Sequence, residues 1–127
     1  MQDRFKFRIP MFTDKGNFQE FQYLELGEQE ECTLCGYNGE PQQCTGLKDK
    51  NGKLIYEGDI VKFAFHEFAE EKAWEKAVIV WGDKYKYPAF DLDKCEFECN
   101  GLSYIFNEDW VIEVIGNIYE NPELLED

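Results

Sequence analysis

Residues 4–9 alternate basic and apolar side chains, with Arg4, Lys6 and Arg8 set against Phe5, Phe7 and Ile9. That period of two predicts an amphipathic β-strand with one basic face. Thr13-Asp14-Lys15-Gly16-Asn17 supplies a turn, and residues 18–26 return as a second strand. Residues 27–40 have no sustained apolar pattern and read as a loop, closed by Pro41. From Gln43 to Phe63 the pattern becomes strand, tight turn, strand, corner and strand. Asn51-Gly52 is the strongest short hairpin signal, because a two-residue type I′ turn needs positive φ at both central positions. Gly58-Asp59 then turns the chain into a run in which Val61, Phe63 and Phe65 share one face.

Residues 66–75 fit either a short helix or the tip of a hairpin into Ala77–Trp81. The β-rich flanks favour the hairpin tip. Residues 85–92 read as extended, with Pro88 directing them to a sheet edge. A second hairpin is predicted over 95–106 around Asn100-Gly101, pairing Cys99 with Leu102, Phe97 with Tyr104 and Cys95 with Phe106. Trp110, Ile112, Val114 and Ile118 line one face of a last strand. Asn121 and Pro122 suit the N-cap and first residue of a short C-terminal helical turn.

These elements predict a mainly β, single-domain fold over residues 1–127, built from hairpins around a small SH3-like, barrel-like sheet. The expected central strands lie near 54–56, 60–66, 76–81 and 110–119, packed by Ile55, Val61, Phe63, Val78, Val80, Ile112 and Val114. Helix is expected only after Asn121 and near Glu70. The SH3-like likeness is one of fold and implies no function.

Two blocks resemble the signature of the YopX family, small proteins of bacteriophages and prophages. One runs from Gln43 to Phe63; the other is Glu113-Val114-Ile115-Gly116-Asn117-Ile118-Tyr119-Glu120-Asn121-Pro122-Glu123-Leu124-Leu125. The family tends to open with a basic-aromatic segment, as this chain does. Relatives commonly carry an aromatic residue where Cys44 stands, which implies a core position. The resemblance brings no biochemical activity with it.

Length and charge narrow the picture. A chain of 127 residues can bury roughly two-thirds of its surface, enough for a core without cross-links. The net charge of −14, from 27 acidic and 13 basic residues, opposes binding to nucleic acid or to an anionic membrane and suits a basic protein partner or simple solubility. The N-terminus has no signal-peptide core and no segment approaches a membrane span, so a cytoplasmic protein with reduced cysteines is expected.

Candidate chemistry is sparse. Cys32-x-x-Cys35 has the spacing of half a zinc site, and Cys44, Cys95, Cys99 and His66 are the only candidates to complete it. Cys95 and Cys99 would lie roughly 13 Å apart along one strand and could not share a metal, so no metal or other cofactor is expected. A redox pair would want a helix N-terminus that the pattern does not supply. His66 is expected in solvent and Ser103 within a hairpin strand, which leaves no basis for a triad. Glu57 and Asp59 could be read as paired carboxylates, but turn chemistry explains them better. Lys6, Arg8 and Arg4 read as the wet face of a strand rather than an anion site. No catalytic residue, nucleotide fingerprint or metalloprotease helix is evident. The YopX resemblance implies a phage or prophage accessory protein, and the lack of candidate chemistry points to action by protein contact or self-association. An acidic nucleic-acid mimic that inhibits a host enzyme is the alternative.

Overall fold

The computed structural model of the chain describes residues 6–25, 37–82, 89–94 and 100–126. These residues form two antiparallel sheets, one of them curled into a half-barrel. The first sheet holds β1 (Lys6–Phe12), β2 (Phe18–Glu25), β3 (Tyr37–Asn38), β4 (Gln42–Lys48) and β5 (Leu54–Tyr56). Its order is β2-β1-β4-β5, with β3 also paired to β1. The second holds β6 (Asp59–Ala64), β7 (Glu75–Trp81), β8 (Phe90–Leu92) and β9 (Val111–Asn117), in the order β8-β7-β6-β9. One α-helix among the described residues, α1 (Gly101–Asn107), packs on β8, and 3-10 turns occupy Glu71–Ala73 and Pro122–Leu125.

The β1–β2 hairpin forms as its pattern dictates. Thr13 N–H donates to Asn17 O at 2.8 Å, and the strands run in register with Arg8 opposite Tyr23. The core is a cluster of Ile55, Val61, Phe63, Ala77, Ile79, Leu92, Leu102, Ile105 and Ile112. Ile55, Val61, Phe63 and Ile112 were expected there, and Val114 packs against the cluster. On β7, however, the residues facing the cluster are Ala77 and Ile79. Val78, on the alternate face, lines a cavity beside Pro41 and Ile118, and Val80 is half-buried there. Both faces of this strand are covered, so strict alternation cannot tell which is the core face. The expected central sheet is also redrawn: β5 pairs with β4 in the first sheet, and the 60–66, 76–81 and 110–119 runs form the second.

The segment between β6 and β7 is a hairpin connection carrying a single 3-10 turn at Glu71–Ala73, which matches the favoured expectation. The Asn51-Gly52 turn closes a hairpin but not a two-residue one. Its loop spans residues 49–53, and only Gly52 takes a left-handed φ of +81°. The Asp49 carboxylate explains the wider turn, since its Oδ1 accepts Asn51 N–H and Lys53 N–H, each at 2.9 Å. Its Oδ2 accepts Val114 N–H at 2.9 Å, so the same side chain ties this turn to β9 of the other sheet.

The second predicted hairpin is overturned where it is described. Residues 101–107 are helical, and residues 95–99 lie outside the described residues. Asn100 is equally good chemistry for an N-cap: its Oδ1 accepts Ser103 N–H at 2.8 Å. The buried Asp91 carboxylate adds a second acceptor, taking Gly101 N–H at 2.9 Å. Leu102 and Ile105, three residues apart, then point from one helix face into the core. Asn121 also differs from expectation. It precedes the C-terminal 3-10 turn without a side-chain cap, because its Oδ1 accepts Asn117 N–H at 3.3 Å instead.

Two substitutions test this arrangement by chemical denaturation. Phe63→Ala should cost about 3–5 kcal/mol, as expected for emptying a fully buried aromatic site. Asn100→Ala should cost about 1 kcal/mol through loss of the cap; unchanged stability there would argue against the helix.

Candidate functional site

A cleft of about 470 Å³ opens beside the first sheet. Three lysines line it from separate positions: Lys6 on β1, Lys48 at the end of β4 and Lys53 in the β4–β5 turn. Tyr23 of β2 and Tyr56 of β5 form an aromatic wall, their rings 5.7 Å apart edge to face. Asn117 and Glu120 contribute a polar wall beyond β9.

Arg8 and Asp59 also line it, and their geometry corrects the reading of Arg8 as surface charge. Arg8 is 4% exposed and its Nη2 donates to Asp59 Oδ1 at 2.8 Å. Arg8 Nε donates to Gln42 Oε1 at 2.7 Å, and Nη2 also reaches Glu57 O at 3.2 Å. The guanidinium lies 4.1 Å from the Phe21 ring centroid and 4.9 Å from that of Tyr56, two cation–π contacts. Asp59 Oδ2 accepts Tyr56 N–H at 2.8 Å. The turn chemistry expected of Gly58-Asp59 is therefore present, with a buried ion pair added to it. Gly58 sits at φ +86°, and a Cβ there would collide with the Gln42 amide.

Burial pushes the Asp59 carboxyl above its ordinary value, and the Arg8 guanidinium only partly restores it. Burial likewise pushes the Tyr56 phenol up to about 12, reinforced by Cys44 and Tyr23. Tyr56 thus stays protonated near neutral pH and keeps its hydroxyl as a donor.

The residues singled out in the sequence do not converge. Glu57 Oε1 accepts Gln43 N–H at 3.4 Å while Asp59 holds Arg8, so the two carboxylates serve different partners. His66 is exposed, its Nδ1 accepting Phe68 N–H at 3.1 Å. Ser103 is on α1 rather than in a strand. Cys44 is fully buried, as a core position requires. Cys32, Cys35, Cys95, Cys99 and Arg4 lie outside the described residues, among which no metal-binding group of His, Cys, Asp or Glu occurs. Lys48, Lys53, Tyr23 and Tyr56 were not picked out as site residues. Their meeting depends on strand order, which a linear pattern does not contain.

A second surface feature is aromatic. On the β6–β7 connection Phe65 is 57% exposed and Phe68 86% exposed. Phe65 packs against His66 at 4.2 Å and Trp110 at 6.4 Å between ring centroids, and Trp110 in turn meets Tyr104 at 5.8 Å. Exposed Glu67, Glu70, Glu108 and Asp109 lie beside these rings in the chain.

Two antiparallel sheets, one curled, with a single short helix among the described residues, define a mainly β protein of the barrel-like kind. The chain belongs to the YopX family, whose YopX protein model matches residues 14–126. It is similar to the crystal structure of protein EF1440 from Enterococcus faecalis, at 30% identity and a TM-score of 0.52 over 95% of this chain and 97% of that one. No curated protein matches it. Among the described residues no helix is long and apolar enough to cross a membrane.

The ion pair gives a stability test. Arg8→Ala should cost about 3–5 kcal/mol, because it strands a buried carboxylate. Asp59 has a folded-state pKa above its unfolded one. Its contribution to stability is therefore complete below about pH 4 and is lost as pH rises through the raised value. Asp59→Asn should remove that decline from urea-unfolding curves collected across the acid range; an unaltered profile would show that Asp59 does not titrate as described.

Proposed function

We propose that this chain is a phage or prophage accessory protein that acts by protein contact, without catalysis of its own, through the aromatic tip of the β6–β7 connection. The observation that carries the reading is the exposure of Phe68 and of Phe65, the latter packed on Trp110. Large exposed aromatic side chains are the kind that anchor protein interfaces, each worth about 2 kcal/mol or more when buried at a hot spot. Glu108 and Asp109, exposed just before Trp110 in the chain, match a partner whose rim is basic, since opposite charges steer association and select against wrong partners. The non-catalytic reading is supported by the separate structural employment of Glu57, Asp59 and His66. The phage setting rests on the family.

Capture from host lysate with the wild type and with Phe65→Ala/Phe68→Ala tests this, alongside sedimentation of both proteins. Salt-resistant capture of a partner, or a dimer, that disappears in the double variant is the expected result. Salt-sensitive capture of a nucleic-acid enzyme that survives the aromatic substitutions would favour acidic mimicry, the reading motivated by the net charge of −14. No capture and a monomer for both proteins would defeat contact through this tip.

A further inference from the structure

In a chain with 27 acidic and 13 basic residues, a lysine has an abundance of carboxylates available. Lys50, Lys62 and Lys72 each lie within 4.0 Å of a glutamate carboxylate. Lys48 and Lys53 are exposed in the cleft, and neither forms an ion pair with a described residue. Lys6 joins them from β1. The Asp59 carboxylate on the same lining is already matched by Arg8 at 2.8 Å. Glu120 remains, its Oε1 accepting Asn117 Nδ2–H at 2.9 Å. Among the described residues, Lys48 and Lys53 against that one carboxylate leave this part of the cleft cationic on an otherwise acidic protein.

We propose that this cleft binds a small phosphorylated molecule with a planar ring, the mononucleotide class, holding the phosphate on Lys48 and Lys53 and the ring on Tyr23. Ammonium groups bind phosphate through charge-assisted hydrogen bonds. The Tyr56 hydroxyl extends the donor set. Tyr23 is 59% exposed and braced edge to face by Tyr56, so one ring face is available for stacking at little cost in order. The volume of about 470 Å³ falls within the range of roughly 300–1,000 Å³ typical of small-ligand sites. This proposal is independent of the aromatic tip, which uses other residues.

Calorimetric titration of the full chain with a 5′-mononucleotide, inorganic phosphate and citrate tests it. The expected result is saturable binding of one nucleotide per chain. Lys48→Glu/Lys53→Glu, and the milder Lys48→Gln/Lys53→Gln, should weaken it by about tenfold or more. Tyr23→Ala should weaken the nucleotide and leave inorganic phosphate unaffected. Lys72→Glu, which changes the same charge at an exposed site away from the cleft, should alter neither. Thermal melts matching the wild type confirm that the variants are folded. Absence of saturable nucleotide binding, or an equal loss in Lys72→Glu, overturns the site. Phosphate or citrate binding as tightly as the nucleotide overturns the assignment of the ring to Tyr23.

Discussion

The buried contact between Arg8 and Asp59 joins the two sheets, and much of the molecule is arranged to make it tolerable. Removing two ions from water costs several kcal/mol for each, and their attraction repays this only when the remaining hydrogen-bonding capacity is filled. Arg8 on β1 is therefore met by the Gln42 amide of β4, by Glu57 O at the corner and by two aromatic faces. Asp59, the first residue of β6, is held by the Tyr56 amide. The supporting groups come from several segments, so satisfying one ion pair fixes β1, β2, β4, β5 and β6 together. Gly58 is drawn into the same constraint. Its N–H donates to Ile79 O at 2.8 Å and its carbonyl accepts Ile118 N–H at 3.0 Å, with no room for a side chain.

Part of the acidity is consequently internal. Asp49, Asp59 and Asp91 are all buried, and each carboxylate accepts backbone N–H groups. Asp49 shapes the β4–β5 turn and reaches β9; Asp91 receives the start of α1. A carboxylate supplies more acceptor sites than a neutral side chain, and a bond to an ionised acceptor is the stronger one. In a small β fold with several corners, such residues replace the regular ladder where the chain turns. A negative formal charge is thus partly a consequence of how the corners are built.

The hairpins and the identity of most core residues were legible because period-two alternation and Gly-containing turns are local signals. The β1–β2 hairpin, the Gly58 corner and the burial of Ile55, Val61, Phe63 and Ile112 follow from them. Asn100-Gly101 was misread because asparagine serves both a hairpin turn and a helix N-cap. What decides between the two is the Asp91 carboxylate and the fit of Leu102 and Ile105 to the core, both set by tertiary placement. Arg8 was misread for a related reason. Alternation put it on the polar face of β1, but the partner that buries it is 51 residues away. The cleft was wholly illegible, since Lys6, Tyr23, Lys48, Lys53 and Tyr56 become neighbours only through the order β2-β1-β4-β5.

That order also reconciles a cationic cleft with a net charge of −14. At physiological ionic strength electrostatic influence decays over about 8 Å, so carboxylates farther away are largely screened from a ligand in the cleft. The lysines that touch it are not. At the proposed site a compact anion would lie within that short range of Lys48 and Lys53. A nucleic-acid duplex would extend well beyond that range, where the net charge of −14 works against it. The proposed site would therefore select by size, taking a single phosphate in preference to a polyanion. Burial of Arg8 sharpens this selection, because its charge is committed to Asp59 at 2.8 Å and cannot swing out to extend the basic patch.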